Sequence, residues 1–352
     1  VYNKSMPALS SLKHFSPKKK TVLMRIDCDV DIKQGRILDD TRLLSSIASL
    51  KKLLKNNCTV ILVGHLGRPD GHDLACTLFP IAKWYARYLG RTLHENSSPF
   101  GGWNIGRNVI LYENIRFFME EEQNDKLFSQ SLAETAEVFV NEAFAVSHRA
   151  HASTVGVTQY LPSYAGLHFT QEVSELEKVL GAPKRPLVVI IGGAKIETKL
   201  PMVEKMHEVA DYVLVGGEVA DHTKELIKVQ HDHSKNKRSI VLMADLTDSG
   251  LDITLKSAEN FARIIESAKT VVWNGPVGQT GKNPLTEQGT RIIAQSIAHS
   301  HAYSIVGGGD TLSYLRQHRM LDKFNFVSVG GGAMLEFLSG EKLPAIEALK
   351  NS

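Results

Sequence analysis

The residues of this chain best suited to chemistry are arginines and histidines gathered at the ends of apolar runs. His148-Arg149-Ala150-His151-Ala152-Ser153-Thr154 closes a series of four such clusters. The others are Arg25-Ile26-Asp27 with Arg42, Gly64-His65-Leu66-Gly67-Arg68-Pro69-Asp70-Gly71, and Glu113-Asn114-Ile115-Arg116-Phe117. Arginine presents a planar fork matched to phosphate and carboxylate, and histidine adds a neutral or charged donor. Clusters at the ends of neighbouring parallel strands gather on one sheet edge, where such folds bind ligands. The pattern predicts a cradle for a small, multiply anionic molecule. A single Arg or His after a strand is ordinarily a solvated loop residue. Four clusters, with paired histidines and a Gly-Arg-Pro turn, make coincidence a poor account.

Charge supports a small anion over a polymer. Residues 1–160 hold 20 Lys+Arg against 16 Asp+Glu, a net +4, and the remainder holds 21 against 22, a net −1. That bias is too weak for nucleic acid. No apolar run approaches the ~18 residues a membrane span requires. The opening residues are polar and end in Lys18-Lys19-Lys20, unlike a secretory signal, and Met6 reads as a natural start. Cys28, Cys58 and Cys76 are odd in number and lack a C-x-x-C pairing, so they read as reduced thiols in the cytoplasm.

The elements that must position these clusters follow a regular alternation. Thr21–Ile26, Thr59–Val63, Val109–Tyr112 and Glu137–Val140 read as buried strands. Thr41–Leu54, Leu78–Tyr88 and Gln123–Glu137 carry helical spacing between them. Such alternation predicts a doubly wound parallel sheet. The pattern restarts after a charged helix at Gln171–Leu180, with strands at Leu187–Ile191, Tyr212–Val215, Ile240–Met243, Val271–Trp273, Tyr303–Val306 and Phe326–Val329. Two α/β domains joined near residues 160–185 are expected. The basic run His231–Arg238 reads as a solvated loop.

Five strands of the second set run into special loops: Gly192-Gly193-Ala194-Lys195, Gly216-Gly217-Glu218, Asn274-Gly275-Pro276, Gly307-Gly308-Gly309-Asp310-Thr311, and Gly330-Gly331-Gly332-Ala333. Glycine after a strand lets backbone N–H groups approach a ligand, and the next helix points its positive end there. Several such loops on one edge predict a phosphate-bearing ligand. Neither a G-x-x-x-x-G-K-[ST] loop nor a G-x-G-x-x-G fingerprint is present. Asp310 is placed as a Mg²⁺ ligand would be, and equally as a helix N-cap. Asp27-x-Asp29-x-Asp31 lacks the Gly and Glu of a calcium loop, with Ile32 and Leu38 in their places.

These motifs, in this order, resemble the phosphoglycerate kinase family from about Leu23 to the C-terminus. The chain carries R-x-D, H-L-G-R-P-x-G, E-N-x-R-F, H-R-A-H-x-S, G-G-A-K, W-N-G-P-x-G, G-G-G-D-T and G-G-G-A-x-L-E. The resemblance implies two Rossmann-like doubly wound domains with an interdomain cleft. Residues 6–160 would bind phosphoglycerate, 161–185 would form a hinge helix and linker, and 186–340 would bind nucleotide. Residues 341–352 would return to the first domain. Carried over by motif, Arg25, Asp27, Arg42, His65, Arg68, Arg116, Arg149 and His151 would meet phosphoglycerate, with Asp29 at a substrate position. Gly193, Lys195, Gly216, Gly217, Asn274, Gly307, Gly308 and Thr311 would meet ATP or ADP, with Asp310 on Mg²⁺. Lys199 matches the lysine that follows the transferring phosphoryl group, and Arg42 would share the catalytic role. A cytoplasmic monomer acting on small molecules, without nucleic-acid or membrane partners, is implied.

The chemistry suits those residue types. Phosphoryl transfer spreads negative charge over equatorial oxygens, so cations and positioning supply most of the catalysis. A carboxylate acceptor is already ionised at pH 7 and needs no strong base. Four departures from the family pattern stand out. Asp29 replaces an Asn, Gly216-Gly217-Glu218-Val219-Ala220 replaces a G-G-G-M-A run so that Glu218 stands at its third Gly, Gly281 replaces a ribose-binding Glu, and the stretch between Gly217 and Asn274 is short. The reading is therefore a phosphoglycerate kinase with an altered nucleoside pocket. The alternatives are a non-catalytic binding protein with the same fold, or an acyl-phosphate kinase for another small carboxylate.

Overall fold

The structure, a computed structural model, describes residues 9–350 apart from 195, 221–238 and 282. Lys195 and the basic run 231–238 thus lie outside the described residues. The chain divides into two compact units, one formed by residues 1–174 with 342–352 and the other by residues 175–341. The division falls inside the helix Leu167–Gly181, between Ser174 and Glu175.

In the first unit, β1 (Thr21–Arg25) leads to a small hairpin of β2 (Ile32–Lys33) and β3 (Arg36–Ile37). The main sheet is completed by β4 (Thr59–Val63), β5 (Leu93–Glu95), β6 (Trp103–Ile105), β7 (Val109–Leu111), β8 (Val138–Asn141) and β9 (Ser163–Ala165). Their order is β5-β6-β7-β4-β1-β8-β9. The expectation of a wholly parallel sheet is corrected at one edge, where β5 pairs antiparallel with β6 and β6 with β7. Three-residue strands as polar as Leu93-His94-Glu95 carry too little alternation to be told from loop. The central strands show why the sheet is covered on both sides. Val22, Met24, Val60 and Leu62 pack with Leu50, Leu53, Ile81 and Tyr85 in one core cluster. The intervening Leu23 and Ile61 are also buried and must face the other way.

The segment 41–54, expected as one helix, is two: Thr41–Ser45 and Ile47–Lys55. Ser46 breaks it. Its hydroxyl bonds back to the Leu43 carbonyl at 2.6 Å and meets the Tyr85 hydroxyl at 2.7 Å, a side-chain competition that disrupts helical continuity. The break sets the short helix carrying Arg42 apart from the longer one.

The six-stranded sheet of the second unit is parallel throughout its described strands: β10 (Leu187–Ile191), β11 (Tyr212–Val215), β12 (Ile240–Met243), β13 (Thr270–Asn274), β14 (Tyr303–Gly307) and β15 (Phe326–Val327). They lie in the order β12-β11-β10-β13-β14-β15. Val188, Ile190, Val271 and Trp273 join one cluster with Phe261, Ile265 and Ile293, while the alternating Val189 and Val272 are buried on the opposite face. Register aligns the strand ends, with Ile191 opposite Val215 and Asn274, and Asn274 opposite Gly307. The five glycine loops therefore leave the sheet along one edge. No helix among the described residues is long and apolar enough to cross a membrane.

Candidate functional site

Register builds the first site. Arg25 lies opposite Val63 and Asn141, and Leu62 opposite Leu111. The loops after β1, β4, β7 and β8 therefore emerge side by side, bringing residues far apart in sequence onto one edge. Asp27, Asp29, Arg42, His65, Arg68, Arg116 and Arg149 line a single pocket with Ala145, Val146 and His148. Two expected residues do not line it: Arg25 and His151. His148, which the cluster's spacing did not separate from its neighbours, takes a place in the wall.

The acidic members of the wall are restrained by its cations and amides. Asp29 Oδ1 accepts the Gly67 amide at 3.0 Å, and its Oδ2 lies 3.7 Å from Arg42 Nη1. Asp27 is buried, and its Oδ2 accepts the Ala145 amide at 3.2 Å. Burial pushes the Asp27 carboxyl above the usual range, against the pull of Arg42 and Arg25. Arg116 donates from Nη1 to the Gly67 carbonyl at 2.8 Å, and its Nε lies 3.0 Å from Glu122. Asn114 braces the same turns, donating to the Leu66 and Cys76 carbonyls at 2.8 Å and accepting the Arg116 amide at 3.1 Å. Four buried atoms of the wall have no hydrogen-bond partner among the described residues: Asp27 Oδ1, Arg116 Nη2, His148 Nδ1 and Arg116 Nε, the last of which is ion-paired with Glu122. Unmet buried donors and acceptors are costly, about 1–3 kcal/mol each, unless a ligand meets them.

Behind the wall, Arg25 is fully buried and internally bonded. Its Nε donates to Ser153 Oγ at 2.8 Å, its Nη1 to the Ile26 carbonyl at 2.5 Å, and its Nη2 meets His65 Nδ1 at 2.9 Å. Burying an unpaired guanidinium costs several kcal/mol, and these bonds offset it. His151 is also buried, with Nδ1 3.7 Å from Glu121 Oε1. Burial, reinforced by Arg25, Arg116 and Arg149, lowers the His151 pKa to about 3, and burial with Arg149 lowers that of His148 to about 4. Both rings are neutral at pH 7. Sequence reasoning did not single out Glu121, and it gave no role to Ser153, the serine of the H-R-A-H-x-S motif. Glu121 sits in Glu120-Glu121-Glu122, which reads as a solvated run, and only the fold buries its middle member.

In the second unit, the glycine loops pack on one another. Gly275 has φ +93°, and a Cβ there would stand 2.0 Å from the Gly192 carbonyl oxygen. At Gly331 a Cβ would stand 2.9 Å from the Gly308 Cα. Glycine is required for this close approach of loop to loop, besides any ligand. Asn274, buried at the end of β13, receives Lys199 Nζ on its side-chain oxygen at 2.5 Å and on its carbonyl at 3.3 Å. Thr311 Oγ1 accepts the Gly275 amide at 3.0 Å. Gly193 and Gly217 are neighbours, with a Cβ on Gly217 3.0 Å from the Gly193 nitrogen, while Gly216 is buried at the end of β11. Gly307 ends β14 and Gly308 caps the helix Gly309–Gln317. Asp310 stands exposed in that helix's first turn. No group of three potential metal-ligating residues exists among the described residues. One exposed carboxylate beside glycine loops suits a Mg²⁺ ion that shares its remaining ligands with phosphates and water.

Two parallel-rich sheets, each with polar loops at its carboxyl edge, define an α/β protein whose candidate sites are loop-borne on both sheets. A sequence model described as phosphoglycerate kinase matches residues 12–244 and 222–341. The chain is 37% identical to a phosphoglycerate kinase of Dictyoglomus turgidum, with 95% of this chain and 96% of that protein covered. It is 35% identical to one of Borrelia garinii, with 94% and 96% covered. Among solved structures, the phosphoglycerate kinase of Coxiella burnetii superposes with a TM-score of 0.84 at 31% identity, covering 98% of this chain and 99% of that one. That of Pyrococcus horikoshii superposes with a TM-score of 0.79 at 26% identity, covering 97% and 98%. The chain belongs to the phosphoglycerate kinase family, whose members are phosphotransferases with a carboxyl group as acceptor.

Proposed function

We propose that this chain catalyses reversible, Mg²⁺-dependent phosphoryl transfer between 1,3-bisphosphoglycerate with ADP and 3-phosphoglycerate with ATP. The observation that carries the reading is the polar wall of the first pocket. It combines four arginines with a buried carboxylate whose Oδ1 has no partner among the described residues. Phosphoglycerate offers the matching groups: a phosphate and a carboxylate for Arg42, Arg68, Arg116 and Arg149, and a hydroxyl for Asp27. The histidines are neutral at pH 7, so they serve as donors rather than as charges. The acceptor carboxylate is ionised already, and the wall is accordingly poor in groups able to act as a base.

On the nucleotide side, Lys199 and the helix N-terminus at Gly308–Thr311 suit a polyphosphate chain, with Asp310 to hold Mg²⁺. A bound Mg²⁺ would neutralise charge on the phosphate oxygens. Lys199, held on Asn274, would supply a further positive charge for the phosphoryl group in flight. The nucleoside pocket is altered: Gly281 is exposed, and its amide donates to Glu287 Oε1 at 2.6 Å. Glu287 thereby places a carboxylate beside the position where the family pattern has one. Glu218 is exposed in the turn after β11. The three free cysteines suit the reducing cytoplasm, and we propose a monomer there.

Asp29 raised the question of another small carboxylate as substrate. Its carboxylate is engaged by the Gly67 amide and Arg42, which supports phosphoglycerate as the substrate. A coupled assay with 3-phosphoglycerate, Mg²⁺ and a panel of nucleoside triphosphates tests the reading. Turnover is expected with 3-phosphoglycerate. No turnover with any nucleotide, or turnover only with a different carboxylate, would overturn it.

A further inference from the structure

We propose that Glu121 and Ser153 are positioning residues for His65. Acting through Arg25, they hold its ring in the Nε2–H tautomer and give the pocket a fixed, neutral donor. The chain of bonds is continuous and buried. Glu121 accepts the Ser153 hydroxyl on Oε1 at 2.5 Å and the Ser153 amide on Oε2 at 2.9 Å. Ser153 Oγ accepts Arg25 Nε at 2.8 Å, and Arg25 Nη2 meets His65 Nδ1 at 2.9 Å.

The direction of every bond is determined by what each group can do. A guanidinium has donors only, so Ser153 Oγ must accept from Nε and His65 Nδ1 must accept from Nη2. The serine then has its single hydrogen left for Glu121, a carboxylate that fills both remaining needs of Ser153. His65, with Nδ1 occupied as an acceptor, carries its proton on Nε2. Reversing one member would set two donors face to face.

Charge points the same way. Glu121, Ser153 and Arg25 do not line the pocket, and His65 does, so the hydrogen-bonded route from them to a ligand runs through the ring. Glu121 sets a carboxylate one hydroxyl away from the buried Arg25 charge. Burial lowers the His65 pKa far below its ordinary range, and Arg25, Arg116, His151 and Arg42 lower it further. The ring is therefore a neutral donor at pH 7, where the pocket's arginines are charged.

The test uses the full chain labelled with ¹⁵N-histidine, with His65→Gln to assign the ring signals. Long-range ¹H–¹⁵N spectra are taken from pH 5 to 8 for wild type, Ser153→Ala, Ser153→Thr and Glu121→Gln. Wild-type His65 is expected as Nε2–H throughout, without titration. In Ser153→Ala and Glu121→Gln the tautomers should mix or titration should appear, and Ser153→Thr, which keeps the hydroxyl, should restore the wild-type spectrum. The activity arm rests on the proposed substrate: KM for 3-phosphoglycerate should rise about tenfold, near 1.4 kcal/mol, with KM for ATP unchanged. A wild-type His65 protonated on Nδ1, or titrating near its ordinary value, overturns the proposal even if the variants fail to fold. Folded Ser153→Ala and Glu121→Gln variants with wild-type spectra and KM overturn it too. If wild type itself binds no 3-phosphoglycerate, the substrate reading fails while the spectra still decide the tautomer.

Discussion

Arg42 Nη1 lies 2.5 Å from the backbone carbonyl oxygen of Asp29 and 3.7 Å from its carboxylate. The arginine is thus held by the residue whose charge would otherwise oppose an anionic ligand. Part of its own charge is neutralised in return.

Replacing Asp29 by Asn should keep an acceptor for the Gly67 amide while releasing Arg42 from its counter-charge. Phosphoglycerate should bind more tightly, by up to about 1 kcal/mol for a half-exposed pair. Arg42→Ala and Arg149→Ala should weaken it by about 1.5–3 kcal/mol each, the value of a charge-assisted hydrogen bond. Calorimetric titration with 3-phosphoglycerate decides the matter, and opposite signs would contradict the site.

Lys199 is buried against Asn274, and its charge should count most when the phosphoryl group is in flight. Lys199→Ala should lower kcat by roughly a hundredfold or more, with smaller changes in either KM. Unchanged turnover would remove the lysine from the reaction.

Base selectivity needs polar groups that are left unpaired when the wrong base enters. The contacts proposed for the nucleotide at Lys199, Asn274 and Gly307–Thr311 address phosphates, and none can read a base. ATP and GTP should therefore differ by less than tenfold in kcat/KM, about 1.4 kcal/mol. A preference of a hundredfold or more would show that another element of the chain forms an adenine pocket.

His151 supplies a pH dependence of stability. Its pKa in the folded protein is about 3, lowered by burial and then by Arg25, against an ordinary value near 6.5. Between these values the unfolded chain binds the extra proton, so stability rises with pH through the window. As pH falls below about 6.5, the contribution is progressively lost until the folded ring titrates. Urea unfolding at pH 7 and pH 5 should show wild type losing on the order of 1–2 kcal/mol more than His151→Gln. Equal losses would mean the ring is not held neutral by the fold.

Much of the site can be read without coordinates because strand periodicity and loop chemistry are local. Leu187–Ile191, Tyr212–Val215 and Ile240–Met243 are strands with the boundaries expected from their apolar runs. Arg42, His65, Arg68, Arg116 and Arg149 stand out as candidate anion ligands from their types and the turns that carry them, and all five line the one pocket. The split at Ser46 was not legible, since it depends on Tyr85, which reaches the serine only across the packed core.

The sequence alone determined the strand–helix alternation, the residue types at each strand end and the membership of the family, because these depend on near neighbours and ordered motifs. Only the tertiary structure decided which of those residues line the pocket. Arg25 and His151 carry the same chemistry as their neighbours, yet packing turns both into the interior, against Ser153, His65 and Glu121. The physical reason is that parallel pairing joins β1, β4 and β8 across more than a hundred residues of chain, and burial then depends on partners no local pattern contains. Glu121 shows the same rule in reverse: one of three adjacent glutamates, it is fully buried because Ser153 returns to meet it.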